Sequence, residues 1–265
     1  MKIALLSLAL CASAVGESVT VTPTQDSDIY AFFDGPSFSV FDLNVGASGE
    51  EMAHSHHALL QFDLSSIAIP SDEIGSAKLR LFVLEPSSSN GGGLRGGNVA
   101  IHRQGAVWEV PGLQWSDLQP QESVGVLTIT DSELSTWIEV DVTDLARKWA
   151  SAELPNHGLV LQPQSETLEP LLNVLFASME LTNYAPQLVI TRAETPPELT
   201  LMVSNGQVVI TWPDIADSGW VLQETTTLSG EWSESNTTAT KVGDQWQVTQ
   251  PVDPSGRCFF RLVKP

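Results

Sequence analysis

Short apolar runs separated by turn chemistry organise most of this chain. Ser18-Val19-Thr20-Val21-Thr22 alternates polar and apolar side chains, the two-residue period of an extended strand. Ala77-Lys78-Leu79-Arg80-Leu81-Phe82-Val83-Leu84 alternates charged and apolar side chains, which predicts a strand with one face in water. Similar runs occupy residues 58–64, 99–103, 124–130, 137–142, 158–162, 174–178 and 187–191. Their spacing predicts an all-β fold, an antiparallel β-sandwich of jelly-roll-like type. One helix is predicted over 143–150. Thr143 offers a capping hydroxyl, Asp144 puts an acid in the first turn, and Leu145 and Trp149 share the face turned to the core.

Pro196 and Pro197 end this series and stiffen the exit, so residues 194–197 read as a linker. Beyond them, residues 198–265 read as a small β-sandwich-like module, with Asn205-Gly206 as a tight-hairpin signal. At the other end, Met1-Lys2, the apolar run 3–10 and Ala12-Ser13-Ala14 read as a signal peptide over 1–16, leaving a main domain over 17–193. Cys11 follows an apolar run as a lipid-attachment cysteine would, but Leu10 before it is too large for that motif. Once the signal is removed Cys258 stands alone, which forbids an intramolecular disulfide; it is expected as a small core residue.

The net charge of −20 changes the picture most. Nucleic acid and anionic membrane surfaces both demand Lys and Arg, so neither is an expected partner. No stretch is long and apolar enough for a transmembrane helix. The sequence has no Gly-x-Ser-x-Gly, His-Glu-x-x-His or phosphate loop, and carboxylates are too plentiful for any pair to nominate a glycosidase dyad.

Ordered blocks then resemble a known family. Asp26-Ser27-Asp28-Ile29-Tyr30 is followed by Ala58-Leu59-Leu60-Gln61-Phe62-Asp63-Leu64, then Ile74-Gly75-Ser76-Ala77-Lys78-Leu79-Arg80-Leu81. The strand from Val99 leads to Trp108-Glu109. Ile138-Glu139-Val140-Asp141-Val142-Thr143 precedes Trp149 and Asn156-His157-Gly158-Leu159, and Phe176-Ala177-Ser178-Met179-Glu180 and Pro186-Gln187-Leu188-Val189-Ile190 close the set. Together they resemble the DNRLRE-domain family, which overlaps the family 96 carbohydrate-binding modules. The resemblance implies a secreted β-sandwich attached to glycan-active or surface proteins, some of whose members bind alginate-like polysaccharide. The family often carries basic residues around the Leu-Leu-x-Phe-Asp block, where this chain has His57 and Gln61. The segment 198–265, with Trp212-Pro213 and Phe259-Phe260-Arg261-Leu262, resembles a C-terminal module of secreted proteins from Verrucomicrobia-like bacteria.

Five residues are candidate ligand contacts. Trp108 and Trp115 flank a loop and could stack on sugar rings. Arg95, His102 and Arg103 form the basic cluster of the main domain's middle. Trp137 and Trp149 are expected in the core. Asp26, Asp28, Asp34 and Asp42, with Asn44, are oxygen ligands that could hold a structural calcium, the one cofactor considered; turn and capping roles compete. His54, His56 and His57 beside Glu50 and Glu51 form a histidine cluster that lacks the distant third ligand a zinc site needs. Asp63, Asp141 and Glu180 are expected to brace strand ends. These features favour a secreted, non-catalytic polysaccharide-binding protein, the glycan being neutral or acidic. A structural or adhesion protein of the cell surface is the alternative, and a polysaccharide lyase or hydrolase a weaker one.

Overall fold

The computed structural model describes residues 17–36, 41–47, 55–85, 96–164, 172–194, 196–214, 219–252 and 258–264. The chain divides into two compact units, one over Ser18–Ala193 and one that holds the chain from Glu194 onward. The expected signal peptide, Arg95, His54, Glu50 and Glu51 lie outside the described residues.

The first unit contains β1 (Ser18–Val21), β2 (Pro23–Tyr30), β3 (Gly35–Pro36), β4 (Asp42–Ala47), β5 (Ser55–Phe62), β6 (Ile74–Phe82), β7 (Gly97–Gln104), β8 (Pro120–Ile129), β9 (Trp137–Asp141), α1 (Thr143–Ala150), β10 (Leu159–Pro163), β11 (Leu172–Ala177) and β12 (Gln187–Arg192). A four-stranded sheet runs β1-β12-β6-β9, and an eight-stranded sheet runs β11-β4-β5-β10-β7-β8 with β2 and β3 joined at β5. All pairings are antiparallel, so the unit is the two-layer all-β sandwich that the alternation predicts. Leu79, Leu81, Leu188 and Ile190 from the smaller sheet pack with Ala58, Leu60, Phe62, Ile101, Leu161 and Phe176 from the larger. Each such fully buried Leu, Ile or Phe contributes roughly 1.5–3 kcal/mol. The helix forms over the expected residues, and Leu145 and Trp149 enter the core as predicted. Its capping differs: the Thr143 hydroxyl accepts from the Ala77 backbone N–H on β6 (2.9 Å), and Asp141 Oδ1 accepts from the Thr143 N–H (2.9 Å).

A second, smaller core lies on the far face of the larger sheet. Ala58, Leu60 and Phe62 of β5 point into the sandwich, so Leu59 points out, where it packs with Ile29 and Val160. The segment between β7 and β8 folds back over them and inserts Trp108 and Leu113, with Trp115 and Leu118 at the margin. The buried Gln104 staples its base, donating to the Asp117 carbonyl (2.6 Å) and accepting from the Gln119 N–H (2.9 Å). Gly158 closes the approach to β10 with φ 89°, and a Cβ there would collide with the Leu60 carbonyl oxygen.

The C-terminal unit contains β13 (Thr200–Ser204), β14 (Gln207–Pro213), β15 (Val221–Thr225), β16 (Ser233–Glu234), β17 (Thr240–Val242), β18 (Gln245–Pro251) and β19 (Phe259–Val263). They form sheets β13-β14-β18-β17 and β16-β15-β19 around Val208, Ile210, Trp212, Leu222, Val248 and Leu262. Asn205 (φ 52°) and Gly206 (φ 74°) make the expected two-residue hairpin turn. Cys258 is exposed rather than in the core, because it precedes β19 instead of lying within it.

Candidate functional site

The outer face of the four-stranded sheet gathers aromatic rings beside polar groups. Leu79 and Leu81 face the core, so Lys78, Arg80 and Phe82 of β6 face out. Ile138 and Val140 pack inward, which turns Trp137, Glu139 and Asp141 of β9 to the same outer face. The register sets Phe82 opposite Trp137, Arg80 opposite Glu139, and Gln187 of β12 opposite Arg80 on its other side. Phe82 meets Trp137 edge-on at 5.5 Å between centroids and lies 4.2 Å from Tyr184, a residue 43% exposed. The Arg80 guanidinium sits 4.9 Å from the Trp137 ring centre. Its Nε donates to Glu139 Oε1 (2.9 Å) and its Nη1 to Gln187 Oε1 (3.0 Å), while Lys78 Nζ donates to Glu139 Oε2 (3.4 Å). Lys78 and Arg80 balance Glu139 and Asp141, so the row carries fixed polar groups and no net charge. Trp137 therefore lies half-buried on a wet face and not in the core, because it is in phase with Glu139 and Asp141.

Among the described residues, the candidate contacts nominated from sequence do not form one site. Trp108 is only 2% exposed and its Nε1 donates to the His157 carbonyl (2.9 Å), so it has no ring face to offer a ligand. Trp115 is half-buried against His57, with ring centroids 4.7 Å apart. Gln61 accepts from Gln25 Nε2 (2.7 Å), which also donates to the Trp108 carbonyl (2.9 Å). His57 and Gln61 thus brace the covering loop. His102 and Arg103 are neighbours on β7 and point to opposite sides. His102 Nδ1 bonds the Gln121 carbonyl (2.9 Å), and Arg103 forks onto Glu122 with bonds of 2.8 and 3.0 Å. That fork holds the Glu122 carboxyl below its usual range. A cleft of about 510 Å³ beside α1 is lined by Glu122, Asp141, Thr143, Asp144, Arg147 and Lys148, and by no aromatic ring.

The aspartates divide. Asp34 stands apart, accepting from the Trp115 N–H (2.8 Å). Asp26 and Asp28 lie on the strand positions of β2 that pair with the inward-facing Leu60 and Ala58. Burial raises both carboxyls, Asp26 to about 7, with Glu180 and Asp28 adding repulsion. Asp26 still accepts from the Met179 N–H (2.7 Å), and Asp42 adds to the upward shift of Asp28. His56, stacked on Tyr30 at 4.2 Å, brings Nδ1 to 3.7 Å from Asp28 Oδ2, too far for a hydrogen bond. Among the described residues, no three His, Cys, Asp or Glu side chains converge as metal ligands.

No helix among the described residues is long and apolar enough to cross a membrane. Comparison with curated proteins finds no match. The family model for carbohydrate-binding module family 96 matches residues 39–192, a span that runs from the segment before β4 to the end of β12. That span is more than half of the chain and takes in the aromatic sheet face, and on this match the protein belongs to carbohydrate-binding module family 96.

Proposed function

We propose that this is a secreted, non-catalytic polysaccharide-binding protein that holds a neutral glycan on the outer face of its four-stranded sheet. The observation that carries the reading is the Trp137–Phe82–Tyr184 surface with Arg80, Glu139 and Gln187 fixed beside it. A pyranose ring presents C–H groups on one face and hydroxyls at its rim. Rigid rings take the first at little entropy cost, and the amide, guanidinium and carboxylate take the second. The charges support a neutral ligand. Both cations on the face are already engaged by Glu139, and the whole chain at −20 repels a polyuronate. The same pairing supports the non-catalytic reading. Glu139 is held by two cations and Asp141 by the Thr143 N–H, so neither of these two carboxyls on the face is left as a proton donor. Secretion rests on the signal-like segment at residues 1–16.

Affinity electrophoresis against neutral glucans, mannans and xylans, with alginate and pectin as acidic arms, tests the proposal. Retardation is expected in a neutral gel. Trp137→Ala and Tyr184→Ala are each expected to weaken it about tenfold, a loss of roughly 1.4 kcal/mol. Tyr184 is the safer probe of the fold, being the more exposed ring. Retardation by acidic gels alone, or full retention by both variants, would remove this face as the site. Release of reducing ends from any of these polymers would overturn the non-catalytic reading.

A further inference from the structure

The C-terminal unit leaves one sheet edge unguarded. Every residue of β13 is exposed, with Leu201 at 49%, Met202 at 61% and Val203 at 65%. Among the described residues, β13 pairs only with β14, so its other edge presents unpaired backbone groups. Native β-proteins normally blunt such edges with charge, proline, a bulge or extreme shortness. The other three sheet edges of this unit obey that rule. β17 is three residues long and centred on Lys241, β16 is two residues and ends in Glu234, and β19 carries Arg261. Thr200-Leu201-Met202-Val203-Ser204 has no charge and no proline, and its register with β14 runs without a bulge.

The hairpin fixes which groups are open. A two-residue turn makes Ser204 and Gln207 a pair that exchanges both backbone hydrogen bonds. By alternation Met202 and Thr200 also bond toward β14. The N–H and C=O groups of Leu201 and Val203 therefore point out of the sheet.

We propose that β13 pairs antiparallel with β13 of a second copy, about a two-fold axis at Met202, and that the protein dimerises through its C-terminal unit. The strand is built symmetrically about that residue. Leu201 falls opposite Val203 of the second copy and exchanges two N–H···O=C bonds with it, and the symmetric pair adds two more. Met202 faces Met202 in the open pair between them, and Thr200 faces Ser204, hydroxyl beside hydroxyl. A second copy meets no charge on this strand, although the whole molecule carries −20. The two copies merge their four-stranded sheets into one of eight. A contact of four backbone bonds and six apolar side chains is small, so the dissociation constant lies on the order of 10–100 μM. The dimer presents two family 96 units to one polymer, where binding by the first raises the effective concentration of the second.

Sedimentation velocity of the intact chain over a concentration series tests this without any glycan. A monomer–dimer equilibrium is expected. Met202→Lys and Met202→Glu each set like charges face to face at the axis and raise the dissociation constant at least tenfold. Mixing the two restores a dimer, which shows that both variants remain folded. Val203→Pro removes an open N–H that β14 does not use, and is likewise expected to be monomeric. A chain that is monomeric at every concentration overturns the proposal. So does a dimer that Met202→Lys and Val203→Pro leave unchanged.

Discussion

Replacing Trp108 by Ala separates a packing tryptophan from a ligand contact. Trp108 is 2% exposed and clusters with Ile29, Leu59, Leu113 and Val160 on the far face of the larger sheet. Deleting it leaves a cavity and strips those neighbours of their cover, a loss of about 3–5 kcal/mol for a buried Trp. It also removes the Nε1–H donor and leaves the His157 carbonyl without that bond, a part of the loss worth about 1–3 kcal/mol. Trp108→Phe removes the same donor but keeps most of the ring, so it combines that part with a smaller cavity. For a unit of this size the alanine variant should melt on the order of 10 °C below the parent, and the phenylalanine variant only a few degrees below. Differential scanning calorimetry with both variants and Trp137→Ala gives the comparison. Trp137 is half-buried and touches Phe82 edge-on, so its loss should cost about 1 kcal/mol. If Trp108→Ala melts within two or so degrees of the parent, the second core is not holding the loop and the argument fails.

Three further predictions follow from other parts of the first unit. Asp26 titrates at about 7 in the fold against 3.8 when exposed, so between those values the folded chain holds more protons. Stability therefore falls as pH rises through that window, by at most about 4 kcal/mol; Asp26→Asn should raise the melting temperature more near pH 8 than near pH 5, and an equal shift at both would refute the assignment. Because Asp34 is committed to Trp115 and no three of the described acids group as metal ligands, a chelator should leave the melting temperature unchanged, whereas a fall of several degrees would reveal a calcium site. Gly158→Ala forces a β-carbon onto the Leu60 carbonyl at φ 89° and should cost at least about 2 kcal/mol by chemical denaturation.

Strand positions were legible wherever one face was polar and the other apolar. The β6 run, the helix over 143–150 and the Asn205-Gly206 turn all stand where their residue patterns put them. β2 and β4 were harder to read. Asp26 and Asp28 occupy inward positions of β2, against the alternation of a half-buried strand, whereas Asp42 and Asn44 do alternate with Leu43 and Val45 in β4 but in a run that also read as oxygen ligands. The longest pairing of each, β2 with β5 and β4 with β11, joins segments far apart in sequence, and the burial that raises the Asp26 carboxyl has no local sign.

The tryptophans carry the sharper lesson, because the signals that distinguish them were present in the chain. Ala58-Leu59-Leu60 is apolar on both faces of β5, and a strand apolar on both faces belongs to a sheet covered on both sides. Some segment must supply the second cover, and the stretch holding Trp108, Leu113, Trp115 and Leu118 is the apolar loop available to do it. A loop tryptophan is then a lid residue before it is a binding residue. For Trp137 the signal is phase. Two positions separated by an even number share a face, so Trp137 belongs with Glu139 and Asp141, and its strand's core face belongs to Ile138 and Val140. Neither residue's role follows from its type. Counting phase along a strand, and asking what covers each apolar face, moves the proposed stacking surface from the loop end of the sandwich to the open sheet, where β6 and β9 set Phe82 and Trp137 in register with Arg80, Glu139 and Gln187 of β12.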